Sequence, residues 1–211
     1  MPSQIQVSDV KALDGTAGIS IADSTGRVSF TETNPVISLG SNATGFTGVK
    51  TVDVWHLSTN QTGSGEFQYD DLTRSSTSNG GANLGTGMTL NGSGSNPGIF
   101  TFPTTGIWRV EAFAGFSLNN SSRYVFLEIL VSTSGTGGSF SSMTLGKTYV
   151  NRTDSNTTHT SAHTTCVLDV TTSGTSGTAL KFSVSVAHSS VLIHGDAPFT
   201  TYFIFTRLGD T

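Results

Sequence analysis

The feature that most limits what this chain can become is the period of its apolar residues. They repeat at every second position over long stretches and almost nowhere at i, i+3 and i+4, and clusters of Gly, Ser, Thr and Asn interrupt each window in which a helix would propagate. From Gly106 to Leu118, for example, Trp108, Val110, Ala112, Ala114, Phe116 and Leu118 fall on one side, and Ile107, Arg109, Glu111 and Phe113 on the other. Such a chain pairs as β-sheet. Short runs of β-branched and aromatic residues between polar turns predict an all-β sandwich or barrel with almost no helix.

Composition says what covers the sheets. Charged residues make up 11% of the 211, against about a quarter in ordinary soluble proteins, while Gly alone contributes 25. Hydroxyls and amides therefore take the place of charge on the solvated surface. A formal net charge of −4 gives no electrostatic basis for binding nucleic acid. The single cysteine, Cys166, cannot close an internal disulfide, and its phase with Leu168 and Val170 reads as a buried structural thiol rather than a nucleophile. Folding in a reducing cytoplasm is expected. The opening MPSQIQVSDV has no positively charged region ahead of an apolar run, and no stretch approaches the about 20 apolar residues of a membrane span. Neither a secretory signal nor a membrane partner is expected.

Two regions differ along the chain. Residues 1–50 carry only short apolar pairs, Ile5/Val7, Ile19/Ile21, Val28/Phe30 and Ile37/Leu39, with turn signals at Asp14-Gly15 and Thr25-Gly26. Each piece is too small for a core of its own. The segment is expected to be an extended arm of short strands that packs on the head, on sister chains or on another protein, with a disordered tail as the alternative. Residues 51–211 hold the longer strands: Thr51–Leu57, Gly87–Leu90, Ile99–Phe102 ended by Pro103, Gly106–Leu118, Tyr124–Val131, Met143–Leu145, Thr164–Val170, Leu180–Ala187 and Tyr202–Leu208. A polar loop, Ser58–Asn83, separates the first two. Eight to ten strands without a fixed-period repeat suit a jelly roll and disfavour a solenoid or propeller.

The predicted core is Trp108, Val110, Phe116, Leu127, Ile129, Phe182, Val184 and Ile204. The Tyr124–Val131 strand is apolar on both faces, which a strand with one face in water does not carry. A second buried surface is implied. We expect it to be an interface between copies of the chain, formed by Tyr124, Phe126 and Leu130, with Tyr202 from the last strand.

The chain is sparse in chemistry. His159 and His163 lie four apart in a strand, share a face, and with His188 or His194 form a weak candidate for metal ligation, although solvent-facing structural histidines fit the same spacing. Asp70 and Asp71, or Asp169 and Asp196, lack the clustered spacing of a calcium site. No G-x-S-x-G elbow occurs, and nothing advertises two converging carboxylates. No enzymatic activity and no cofactor are expected.

The run Phe100-Thr101-Phe102-Pro103-Thr104-Thr105-Gly106-Ile107-Trp108-Arg109-Val110 resembles the signature of the complement C-one-q and tumour necrosis factor superfamily: a Phe, five residues, Gly, one residue, an aromatic, one residue, an apolar. Phe199-Thr200-Thr201-Tyr202-Phe203-Ile204-Phe205 looks like that family's last strand. Further blocks are similar to C-terminal heads of structural proteins from tailed phages of marine bacteria: Asp53–Leu57, Leu84–Thr89, Gly98–Pro103 and Phe205–Thr211. The resemblance implies a TNF-like jelly-roll head that forms a homotrimer with its central strands on the three-fold axis. It also implies a virion structural protein made in the host cytoplasm and displayed on the particle surface, as a capsid decoration (cement) or short head-fibre protein. Its arm would engage the major capsid protein or another virion protein, and a host surface glycan or protein is a further partner. A receptor-binding tail-fibre tip and a carbohydrate-binding β-sandwich module are the alternatives, the latter disfavoured because only Trp55 and Trp108, the second expected in the core, are there to stack on sugar rings.

Overall fold

A computed structural model describes residues 49–76, 83–195 and 200–210. The arm residues Ile5, Val7, Ile19, Ile21, Val28 and Phe30 lie outside the described residues, as do Asp196 and Phe199. The strands are β1 (Thr51–Leu57), β2 (Gln61–Thr62), β3 (Gly65–Glu66), β4 (Leu72–Arg74), β5 (Thr89–Asn91), β6 (Ile99–Thr101), β7 (Gly106–Leu118), β8 (Ser122–Ser132), β9 (Ser141–Val150), β10 (Thr158–Val170), β11 (Ala179–Val186), β12 (Leu192–Ile193) and β13 (Tyr202–Gly209). A 3-10 turn at Tyr69–Asp71 is the only helical piece among the described residues.

These strands form two antiparallel sheets, the arrangement of a jelly-roll sandwich. The first has the order β2-β12-β7-β13-β1-β4, with β10 also paired to β7; the second has the order β5-β6-β11-β8-β9, with β3 also on β11. β7 is central to the first sheet. It pairs along its whole length with β10, from Gly106↔Val170 to Leu118↔Thr158, and on its other side with β13. The alternation that predicts β7 also fixes its register, because a one-residue slip would turn the buried Trp108, Val110, Ala112, Ala114 and Phe116 to the outside.

The Phe100–Val110 block makes the corner between the sheets. β6 ends at the Pro103 corner, and Gly106 opens β7 at φ +136, where a Cβ would fall on the Gly209 carbonyl oxygen. Trp108 then points inward, buried against Phe102 at 5.2 Å and donating from Nε1 to the Thr104 carbonyl. The core continues as an aromatic chain from one sheet to the other. Phe100 packs on Trp55, Phe182 and Phe205, and Phe182 stacks on Phe203 at 4.1 Å. Each fully buried side chain of this size contributes about 1.5–3 kcal/mol by leaving water.

Of the predicted core residues, Trp108, Val110, Phe116, Leu127, Ile129, Phe182 and Val184 are buried, whereas Ile204 is not. Phe203 and Phe205 are the buried residues of β13, and Ile204 stands on the outer face opposite Val54 and Glu111. Tyr202-Phe203-Ile204-Phe205 is apolar at every position, so alternation leaves two phases open and the larger rings take the inside. The polar 58–83 stretch also differs from a plain loop. It contains β2, β3, the 3-10 turn and β4, which covers the edge of β1. Likewise β9 and β10 run well beyond Met143–Leu145 and Thr164–Val170, because threonine and serine sustain strands where apolar alternation fades.

The sandwich has two edges. At one, β9 and β10 meet across the corner between the sheets, joined by Thr144 Oγ1 with Thr164 Oγ1 at 3.0 Å and Thr148 Oγ1 with Thr160 Oγ1 at 2.7 Å. A Cβ on Gly146 would collide with the His163 carbonyl oxygen, so only glycine lets the two backbones come this close. At the other edge, formed by β4 and β5, Asp53 is fully buried. Its Oδ2 accepts from Trp55 Nε1 (2.9 Å) and the Met88 backbone N–H (2.6 Å), and its Oδ1 faces Arg74 Nε at 3.1 Å as an ion pair rather than an aligned hydrogen bond.

Candidate assembly interface

Among the described residues, two extended apolar surfaces remain outside the core, and they lie on different sides of the sandwich. On the outer face of the first sheet, Phe113 of β7 stacks on its cross-strand partner Tyr202 of β13, with ring centroids 5.2 Å apart and planes 18° apart. Ile204 continues this face along β13, and His163 of β10 stands opposite Phe113. All but His163 are half-buried in the single chain. The only charges beside them in the β7 row, Arg109 and Glu111, are paired with each other at 2.8 Å.

The second surface is a ridge along the β9/β10 edge. Met143 (54% exposed), Leu145 (39%) and Tyr149 (65%) project from one side of β9, whereas Val167 (55%) of β10, paired with Arg109, belongs with His163 to the outer face of the first sheet. Beside the β9 residues, on β8, Tyr124 and Phe126 stack at 4.7 Å and Leu130 is half-buried. A register shift between Ile129 and Leu130 leaves Met143 without a partner in β8, which makes it the bulged residue of β9. The predicted interface set thus divides: Tyr124, Phe126 and Leu130 belong to the ridge side, and Tyr202 to the face of the other sheet. Sequence reasoning missed Met143, Leu145, Tyr149 and Val167. The alternation Met143, Leu145, Lys147, Tyr149 is present, but the neighbouring hydroxyl residues hide it.

The candidate metal ligands do not converge. His159 stacks on His194 at 5.5 Å, and His194 Nε2 lies 2.8 Å from Ser117 Oγ. His163 is about 13 Å further along the strand, and His188 meets Asn120 instead. No group of three or more His, Cys, Asp or Glu suited to a metal forms among the described residues. Asp71 is engaged within its loop, accepting from Gln61 Nε2 at 2.7 Å and from Thr59 Oγ1. Asp169 is exposed. Cys166 is half-buried against the core, and burial pushes its thiol up to about 11, which keeps it protonated at neutral pH. Trp55 and Trp108 are both buried, so neither offers an open indole face to a sugar.

No protein-family model and no curated protein matches this sequence. Solved structures do. The Eiger TNF from S. frugiperda superposes with a TM-score of 0.53 at 11% identity, covering 78% of this chain and 95% of that one. Murine APRIL at pH 5.0 gives 0.49 at 11% identity, covering 75% and 98%. At such identities the likeness is one of fold, a TNF-like jelly roll.

Proposed function

We propose that this chain is the trimeric jelly-roll head of a bacteriophage virion structural protein, displayed on the particle as a capsid decoration or short head-fibre protein. The observation that supports assembly is the pair of unlike apolar surfaces. A two-fold contact sets one patch against its own copy and leaves the other exposed. A closed ring instead sets the β9/β10 ridge of one copy against the Phe113/Tyr202/Ile204 face of the next, and covers both. The resemblance of Phe100–Val110 to the C-one-q and tumour necrosis factor signature supplies the number three. Virion placement rests on the blocks shared with phage heads, Asp53–Leu57, Leu84–Thr89 and Gly98–Pro103 among them.

Light scattering tests the ring. A trimer is expected at micromolar concentration, and the double variant Met143→Asp/Leu145→Asp is expected to be a folded monomer; a wild-type monomer would overturn the assembly. Deleting residues 1–50 should leave a folded trimer and remove attachment to the particle. Imaging particles labelled with an antibody to the head tests placement: signal over the capsid supports decoration, whereas signal confined to the tail tip transfers the role to a receptor-binding fibre.

A further inference from the structure

We propose that the open β4/β5 edge of the sandwich carries a binding site for a neutral hexopyranose unit of a surface glycan. A groove of about 470 Å³ runs there, lined by Tyr69, Asp70, Leu72, Arg74, Thr89 and Leu90, with Trp55 also at its wall. That volume is in the range of small-ligand sites. Tyr69 gives an aromatic side chain for the C–H face of a pyranose. The Asp70 carboxylate is exposed and makes no hydrogen bond or ion pair among the described residues, so it is free to accept from neighbouring hydroxyls. The contrast with Asp71, whose carboxylate is taken by Gln61 and Thr59, is informative: one acid builds the loop and the other is presented by it.

Arg74 supplies the donor, and it is set in place before any ligand arrives. Its Nε pairs with buried Asp53, an amino group donates to the Met88 carbonyl, and the guanidinium lies over the Trp55 ring at 4.8 Å from the centroid. Little side-chain entropy remains to be lost on binding. Charge then selects the ligand class. Asp53 offsets Arg74, which leaves Asp70 as the net charge of the groove, so a uronic or sialic acid is repelled and a neutral sugar is accepted. The groove is on the edge opposite the β9/β10 ridge. Among the described residues nothing closes it, whether or not the ridge is covered, and the proposal does not depend on where the protein sits on a particle.

Saturation-transfer NMR on the full chain, with the methyl pyranosides of glucose, galactose, mannose and N-acetylglucosamine and with glucuronic acid as the acidic control, tests this. Transfer is expected from at least one neutral glycoside and not from glucuronic acid. Asp70→Asn should weaken binding about tenfold or more with an unchanged unfolding midpoint, and Tyr149→Ala on the ridge should leave it intact. The site is refuted if all four neutral glycosides are silent, if glucuronic acid binds as well as they do, or if Asp70→Asn binds like the wild type. Because the readout is on the isolated chain, any of these results leaves the trimer and the virion role to their own tests.

Discussion

The two edges of this sandwich are built from opposite chemistry. At the β9/β10 edge short hydroxyls pair with one another and Gly146 lets two backbones touch, so the interior closes and apolar side chains are left outside. At the β4/β5 edge a buried carboxylate is paired with an arginine at the surface, and the outside is a polar groove. The way each edge is closed thus decides what is left for a partner: a largely apolar ridge interrupted by Lys147 on one side, hydrogen-bonding groups on the other.

The largest effect is expected on β7, the central strand of the first sheet. Trp108→Ala should cost about 3–5 kcal/mol and loosen the whole sandwich, as large aromatic truncations do. Chemical denaturation measures this, and an unchanged midpoint would mean that the β7 phase is wrong. Gly146→Val should cost about 3 kcal/mol, the top of the range for overpacking, because the neighbouring atom is backbone. It should also dissolve the proposed trimer by displacing the ridge. Asp53→Asn should cost about 2 kcal/mol through loss of the charged acceptor, yet leave the trimer intact. Light scattering on these two variants separates the edges; loss of the trimer in both would show that they are not independent. Thr148→Val removes one rung of the hydroxyl contact, and about 1 kcal/mol is expected.

The smallest effect concerns pH. His56, buried on β1 with Nδ1 3.1 Å from Ser75 Oγ, is held by desolvation below its ordinary value of 6.5. The unfolded chain therefore binds a proton more readily than the folded one, so stability falls as pH drops below about 6.5 toward the lower folded value. A pH series of unfolding midpoints should show this slope, and His56→Gln should flatten it.

How far the sequence could be read followed from where the signals lie. β7 was legible because small and large apolar residues alternate there with polar ones, and Gly106 marks the corner before it. β13 was legible as a strand but not in its phase, since four consecutive apolar residues fit both faces and only packing against Phe182 chooses between them. Asp53 shares its phase with Trp55 and Leu57, so an inward acid was readable. Its partner Arg74 was not, because a contact across 21 positions leaves no periodic trace. The ridge was hidden for a related reason: hydroxyl residues close the edge from inside, and their pairing lies between two strands rather than along either.

The placement of β1 has a mechanical consequence. Thr51 to His56 run antiparallel to Arg207 to Tyr202, and β4 flanks the same strand from Trp55 to Leu57. A pull transmitted through the residues just before Thr51 acts along β1, so its ladders are loaded in shear and their hydrogen bonds must give way together rather than peel one by one. Under such tension β1 would stay paired as long as the unfolding barrier allows, however modest the equilibrium stability.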